Sequence, residues 1–174
     1  MSSMRVVEVS LDETLKQLRA ELRREFPGTK FRVTRDRGTA YGYVSVRWED
    51  GPPTSEVDAI CAGYIGTRYC CTEECERPVT HLAADGEGNP VKVRYRSRGI
   101  LCARTLSPGW WAMYIRLVLE LEEEPLSFVG PYDREALLAL DDRALVEAAT
   151  KTLVNGQWLS GLAWRASEAQ EVVR

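Results

Sequence analysis

Five cysteines and one histidine are the only thiol and imidazole groups in 174 residues. Cys70, Cys71, Cys75 and His81 fall close together, and Cys102 follows on a later segment. Zinc takes four nitrogen or sulfur ligands in a tetrahedron, so Cys71, Cys75, His81 and Cys102 are the candidate metal set. The spacing has no C-x-x-C pair, and unpaired cysteines commonly serve as small core residues. The expectation is therefore no cofactor, with structural zinc on those four residues as the alternative. Cys71 or Cys75 beside His81 is the corresponding candidate for thiol catalysis.

A second group is cationic. Lys92, Arg94, Arg96 and Arg98 occupy alternate positions of a predicted strand, with Val91, Val93 and Tyr95 between them. Side chains alternate across a strand, so the four cations share one face. Arg32, Tyr43 and Arg47 face away from the predicted core in an earlier strand pair. Were the strands to share one sheet, these seven residues would form a cationic platform with a ring set into it. Forked guanidinium donors and a stacking plane suit an acidic protein surface or single-stranded nucleic acid. The competing reading is a solvated face, or one covered by the chain's own acidic end, where residues 118–174 hold 5 Lys+Arg against 11 Asp+Glu.

The remaining chemistry is sparse. There is no phosphate loop, G-x-G-x-x-G, G-x-S-x-G or H-E-x-x-H. The carboxylate pairs Glu73-Glu74 and Asp141-Asp142 sit in polar surroundings. A net charge of −3 argues against dedicated nonspecific duplex binding, which needs a strongly basic footprint. No apolar run approaches the length of a membrane span, and the N-terminus lacks a signal-peptide pattern, so a cytoplasmic, non-membrane protein is expected.

The elements that must position these residues follow from punctuation. Ser10 with Glu13 makes a capping box for a helix whose Leu11, Leu15, Leu18, Leu22 and Phe26 recur at helical spacing, until Pro27-Gly28 ends it. Strands are predicted over 31–35 and 43–48, with Arg37-Gly38-Thr39 between them. Thr54 or Ser55 is the expected cap of a second helix. Residues 66–90 read as an irregular loop or short hairpin, 91–98 and 100–104 as strands, and Ser107-Pro108 as the start of a helix to about 123, fraying at Glu122-Glu123-Glu124. Two short helices follow over 133–140 and 141–153, stopped by Asn155-Gly156. The expected class is α+β: a small antiparallel sheet with helices on one face over residues 1–124, and a helical C-terminal extension over 125–174 packed against it.

Two motifs carry a resemblance. Phe26, Pro27, Gly28, Lys30, Phe31 and Val33 form an F-P-G-x-K-F-x-V pattern, and Val46, Trp48, Asp50, Gly51 and Pro52 form V-x-W-x-D-G-P. Over about residues 12–65 the chain resembles the twenty-ninth of the large polyvalent protein associated domains, with a looser likeness as far as Arg104 to Ser107. The resemblance implies a module of phages, plasmids and conjugative elements, often fused to effector or counter-defence domains, with no established catalysis. The expected function is thus a non-enzymatic mobile-element accessory protein. It would bind a macromolecular partner, first a protein, to modulate a host or defence factor. A nucleic-acid-binding module is the alternative, followed by a zinc or thiol enzyme. A homo-oligomer is compatible with the acidic and basic regions.

Overall fold

A computed structural model describes residues 5–70, 75–121 and 127–169. The chain divides into two compact units, Met1–Arg104 and Thr105–Arg174.

The first unit contains β1 (Val6–Val9), α1 (Leu11–Glu25), β2 (Arg32–Arg35), β3 (Tyr43–Glu49) and α2 (Thr54–Ala62). There follow β4 (Thr67–Cys70), β5 (Cys75–Pro78), β6 (His81–Ala84), β7 (Pro90–Tyr95) and β8 (Gly99–Thr105). Ser10 caps α1 by accepting the Glu13 N–H at 3.3 Å. Leu15, Leu18 and Leu22 form the buried stripe of α1 and pack with Val33, Val44 and Val46 of the antiparallel β2–β3 pair. Each such leucine contributes about 1.5–3 kcal/mol on burial. Val57 and Cys61 of α2 join the same core. One sheet runs in the order β2-β3-β8, with both helices feeding one of its faces.

The α+β class is as expected, but the strands are shared among several small sheets. In the order β1-β7-β6, β1 lies parallel to β7, while β4 and β5 form a separate antiparallel hairpin. The 66–90 stretch is therefore largely strand. Its periodicity is hidden because all of β5 is exposed and no apolar alternation is needed there. The cap of α2 also differs. Pro53 holds the N-cap position in extended backbone without a side-chain hydrogen bond, so neither Thr54 nor Ser55 performs that role. Proline's fixed φ supplies the geometry that a capping hydroxyl would otherwise hold.

The second unit contains α3 (Pro108–Leu121), β9 (Phe128–Val129), α4 (Arg134–Leu138), α5 (Asp142–Ala149), β10 (Leu153–Val154), β11 (Gln157–Trp158) and α6 (Leu159–Ala169). α3 packs within this unit on α5 and α6, around Ile115, Leu119, Leu145 and Leu159, although the sequence grouped it with the preceding strands. Asp133 and Asp141 cap α4 and α5 through the amides of Ala136 and Ala144. Asn155 and Gly156 both take positive φ, at 50° and 77°, as the turn between β10 and β11. They make a hairpin rather than the helix stop that was expected, and Asn-Gly is the preferred pair for such a turn. Trp164 meets Trp111 at 5.9 Å between ring centroids, while Trp158 stays 54% exposed. The expected fraying at Glu122-Glu123-Glu124 lies outside the described residues.

Gly66 ties α2 to the β7 end of the second sheet. Its N–H donates to the Ser97 carbonyl at 2.9 Å and its carbonyl accepts from Val79 at 2.8 Å. A Cβ here would stand 1.7 Å from the Tyr95 carbonyl oxygen, so the backbones must separate to admit one. Gly66→Ala is expected to destabilise the N-terminal unit by about 2 kcal/mol or more, read as a lower midpoint in urea unfolding of the whole chain.

Candidate functional site

The expected alternation holds within β7, where Val93 is buried and Tyr95 half-buried while Lys92 is exposed and Arg94 intermediate, but the strand ends at Tyr95 rather than at the expected residue 98. Beyond it Arg96 and Arg98 are exposed and Ser97 is buried. The expected partner sheet does not form. β7 pairs with β1 and β6, whereas Arg32, Tyr43 and Arg47 stand on β2 and β3 of the other sheet. The seven residues consequently do not make one continuous platform.

β1 also brings a counter-charge. Glu8 sits opposite Arg94 in the parallel register and its carboxylate binds both Arg94, at 3.4 Å, and Arg96. Among the described residues the buried Arg94 Nε has no hydrogen-bond partner. Arg98 turns elsewhere, to a forked contact with Glu76 of β5 and to the Tyr43 ring, 5.6 Å from its centroid. The hydrogen bond from Arg98 holds the Glu76 carboxyl below its ordinary range. Tyr43 in turn lies against Gly99, where a Cβ would come within 2.8 Å of the ring. Arg98, Tyr43 and Glu76 are thus one cluster, and Arg94, Arg96 and Glu8 another.

Arg32 and Arg47 are brought together. They are cross-strand partners in the β2–β3 register, on the face opposite Val33 and Val46. Both are exposed, and among the described residues neither has an ion pair or hydrogen-bond partner. Like charges directly opposite in a sheet repel, so the pair is a local cost to folding that a bound anion would remove. The same face carries Leu101 of β8, 57% exposed, and α1 and α2 pack on the other side.

The cysteine set is dispersed. The Cys102 Sγ lies 3.5 Å from the buried Cys61 Sγ, an α2 residue outside the expected group. This thiol contact, burial and nearby Asp58 all push the Cys102 thiol upward, so it stays protonated and poorly nucleophilic. Cys75 stands opposite Cys70 across the β4–β5 hairpin. The His81 Nε2 is 2.7 Å from the Ile65 carbonyl oxygen. Among the described residues no group of three or more His, Cys, Asp or Glu is arranged to hold a metal ion. Cys71 and the Glu73-Glu74 pair lie outside those residues.

Two arrangements were not foreseen. Arg19, on α1, and Arg35 and Arg37, in and beyond β2, gather with Arg32 along the outer edge of the sheet. Arg19 and Arg23 flank the leucine stripe of α1, which is the sequence signal that a helix along a strand would place them there. The other arrangement is an open cleft of about 570 Å³ where Glu21, Tyr64, His81 and Tyr95 meet. The Tyr64 hydroxyl donates to the Glu21 carboxylate, and its ring lies 5.0 Å from that of Tyr95.

A family model described as large polyvalent protein associated domain 29 matches residues 9–107. The chain belongs to that family. The match covers more than half of the 174 residues and runs beyond the two motifs through β8 to Ser107. No curated protein and no solved structure matches the sequence. The polyvalent-domain motif residues themselves serve the fold. Phe31 contacts Phe26 and Trp48 at 5.9 and 5.6 Å between ring centroids, and the Trp48 Nε1–H donates to the Pro52 carbonyl at 3.0 Å.

Burial and the bond to Glu21 raise the Tyr64 phenol above its ordinary value of 10. Its stabilising effect is present below pH 10 and is lost as the pH rises through the folded value, because the unfolded phenol ionises first. Alkaline titration of phenolate absorbance should show a late-ionising tyrosine that disappears in Tyr64→Phe. An unchanged late component in that variant would remove the assignment.

Proposed function

We propose that this polyvalent-domain protein is a non-enzymatic mobile-element accessory protein that binds a macromolecular partner, a protein with an acidic surface. Through that contact it modulates a host or defence factor. The observation that carries the proposal is the opposed, unpartnered Arg32 and Arg47 on the sheet face away from the helices. Two guanidinium groups held side by side present forked donors to carboxylates, and exposed Leu101 adds apolar contact on the same face. Family membership supports the association with large polyvalent proteins.

The nucleic-acid reading through 92–98 has less support, because Glu8 and Glu76 already occupy Arg94, Arg96 and Arg98. A zinc or thiol enzyme has less still, given the raised Cys102 thiol and the distribution of Cys75, His81 and Cys102 over separate elements.

The test is capture from a nuclease-treated bacterial lysate by the intact chain, in parallel with an Arg32→Glu/Arg47→Glu variant of equal thermal stability. A specific protein should be retained by the parent, and its retention should fall at least about tenfold in the variant, a change of roughly 1.4 kcal/mol. Equal capture by both, or capture that nuclease abolishes, would overturn the proposal.

A further inference from the structure

We infer that the groove between α1 and the outer edge of β2 is a slot for an extended acidic segment of the protein partner, seated as a fourth strand beside β2. The inference rests on the partner-binding reading and gives that partner a shape and a point of entry.

β2 ends the order β2-β3-β8, so one of its backbone edges is unpaired by any described strand. The Asp36 N–H donates inward to the Tyr43 carbonyl at 2.9 Å, whereas the Val33 carbonyl accepts from the Arg19 Nη2 at 2.6 Å on the outer side. Antiparallel alternation then turns the amide and carbonyl groups of Val33 and Arg35 outward. A groove of about 560 Å³ follows this edge, with Asp12, Leu15 and Arg19 of α1 on one wall and Arg32, Arg35 and Arg37 on the other. An adjoining cleft of about 320 Å³ shares Arg19 and adds Arg23 and Lys30.

The charges select the occupant. Six cations border the two clefts against one carboxylate, Asp12, and that one already sits 3.3 Å from Arg35 in the position a ligand carboxylate would take. A second copy of the chain would bring the same arginines to the same edge and be repelled, so self-pairing is disfavoured. Among the described residues no aromatic ring lines the main groove, and the ring in the adjoining cleft, Phe31, already packs on Phe26 and Trp48, so the bases of a single strand find little stacking surface. A phosphodiester backbone would also leave the outward Arg35 carbonyl unmatched, because phosphate offers no donor. An acidic peptide strand meets both needs: its main chain pairs with Val33 and Arg35, and its side chains on one face reach the arginines. Arg19 closes the edge when the slot is empty. On entry it exchanges the Val33 carbonyl for a carboxylate.

The test uses the whole chain and a short synthetic peptide alternating Glu and Val, followed by fluorescence anisotropy and amide hydrogen exchange. The Glu–Val peptide should bind, and the amides of Val33 and Arg35 should gain protection. Affinity should fall at least about tenfold on Arg37→Glu, on Glu→Lys replacement in the peptide, or on N-methylation of its pairing amides. Binding that survives N-methylation, that leaves those two amides unprotected, or that is exceeded by oligothymidylate at the same salt would overturn the slot. Arg37 is exposed in the β2–β3 connection, and Arg37→Ala serves as the milder variant. If lysate capture is lost in Arg32→Glu/Arg47→Glu but intact in Arg37→Glu, the slot alone fails. If capture is unchanged in both, the partner-binding reading fails with it.

Discussion

The N-terminal unit depends on how the chain reverses after β3. Asp50 and Gly51 both adopt left-handed backbone, at φ 57° and 66°, which turns their carbonyls toward the buried Arg104 guanidinium. The Arg104 Nη2 donates to the Gly51 carbonyl at 2.9 Å, and a buried guanidinium is tolerable only when its donors are taken up in this way. Trp48 closes the same turn from the core side through the Pro52 carbonyl. Gly51 has no room for a side chain, because a Cβ would lie 2.5 Å from the Thr29 Oγ1. One knot therefore fixes the end of α1, the end of β3, the start of α2 and the β8 strand. The Arg32–Arg47 pair and the α1–β2 groove inherit their geometry from it.

This explains why the two motifs were legible as words while their purpose was not. Phe26, Phe31 and Trp48 form one ring series, so the F-P-G and W-x-D-G-P patterns are two halves of a single packing arrangement. Their spacing along the chain shows that each ends an element. That they meet, and that Arg104 about fifty residues later completes them, depends on tertiary folding.

Elements whose signal is local were read correctly, such as the leucine stripe of α1, the alternation of β2, β3 and β7, and the Ser10 cap. Elements whose identity depends on a distant partner were not. β1 is four residues long, and its pairing with β7 makes it a strand; the sequence gives no sign that Glu8 will face Arg94. The short hairpin allowed within 66–90 is present as β4–β5, but its strands are mostly exposed, so no hydrophobic period marks their limits. The Asn155-Gly156 pair was recognised as a break but assigned to a helix end, since a two-residue strand on either side is too short to show alternation. For the candidate site the same division applies. Alternation was expected to place Lys92, Arg94, Arg96 and Arg98 on one face, but β7 ends at Tyr95 and Arg98, beyond it, turns to Glu76 and Tyr43 instead. The shared sheet on which the platform was conditional does not form, because a face says nothing of which strand lies next to it.

What separates the two arginine groups physically is compensation. On β7 the carboxylates of Glu8 and Glu76 accompany the cations, and such exposed pairs add little stability while cancelling the field. Along α1 and β2 the cations outnumber the acids, although the chain as a whole carries −3. At physiological ionic strength charges are screened over about 8 Å, so a ligand in the groove senses chiefly the charged groups that line it. A short acidic strand fits within that distance of Arg19, Arg32, Arg35 and Arg37, and it can pair with the open β2 edge at the same time.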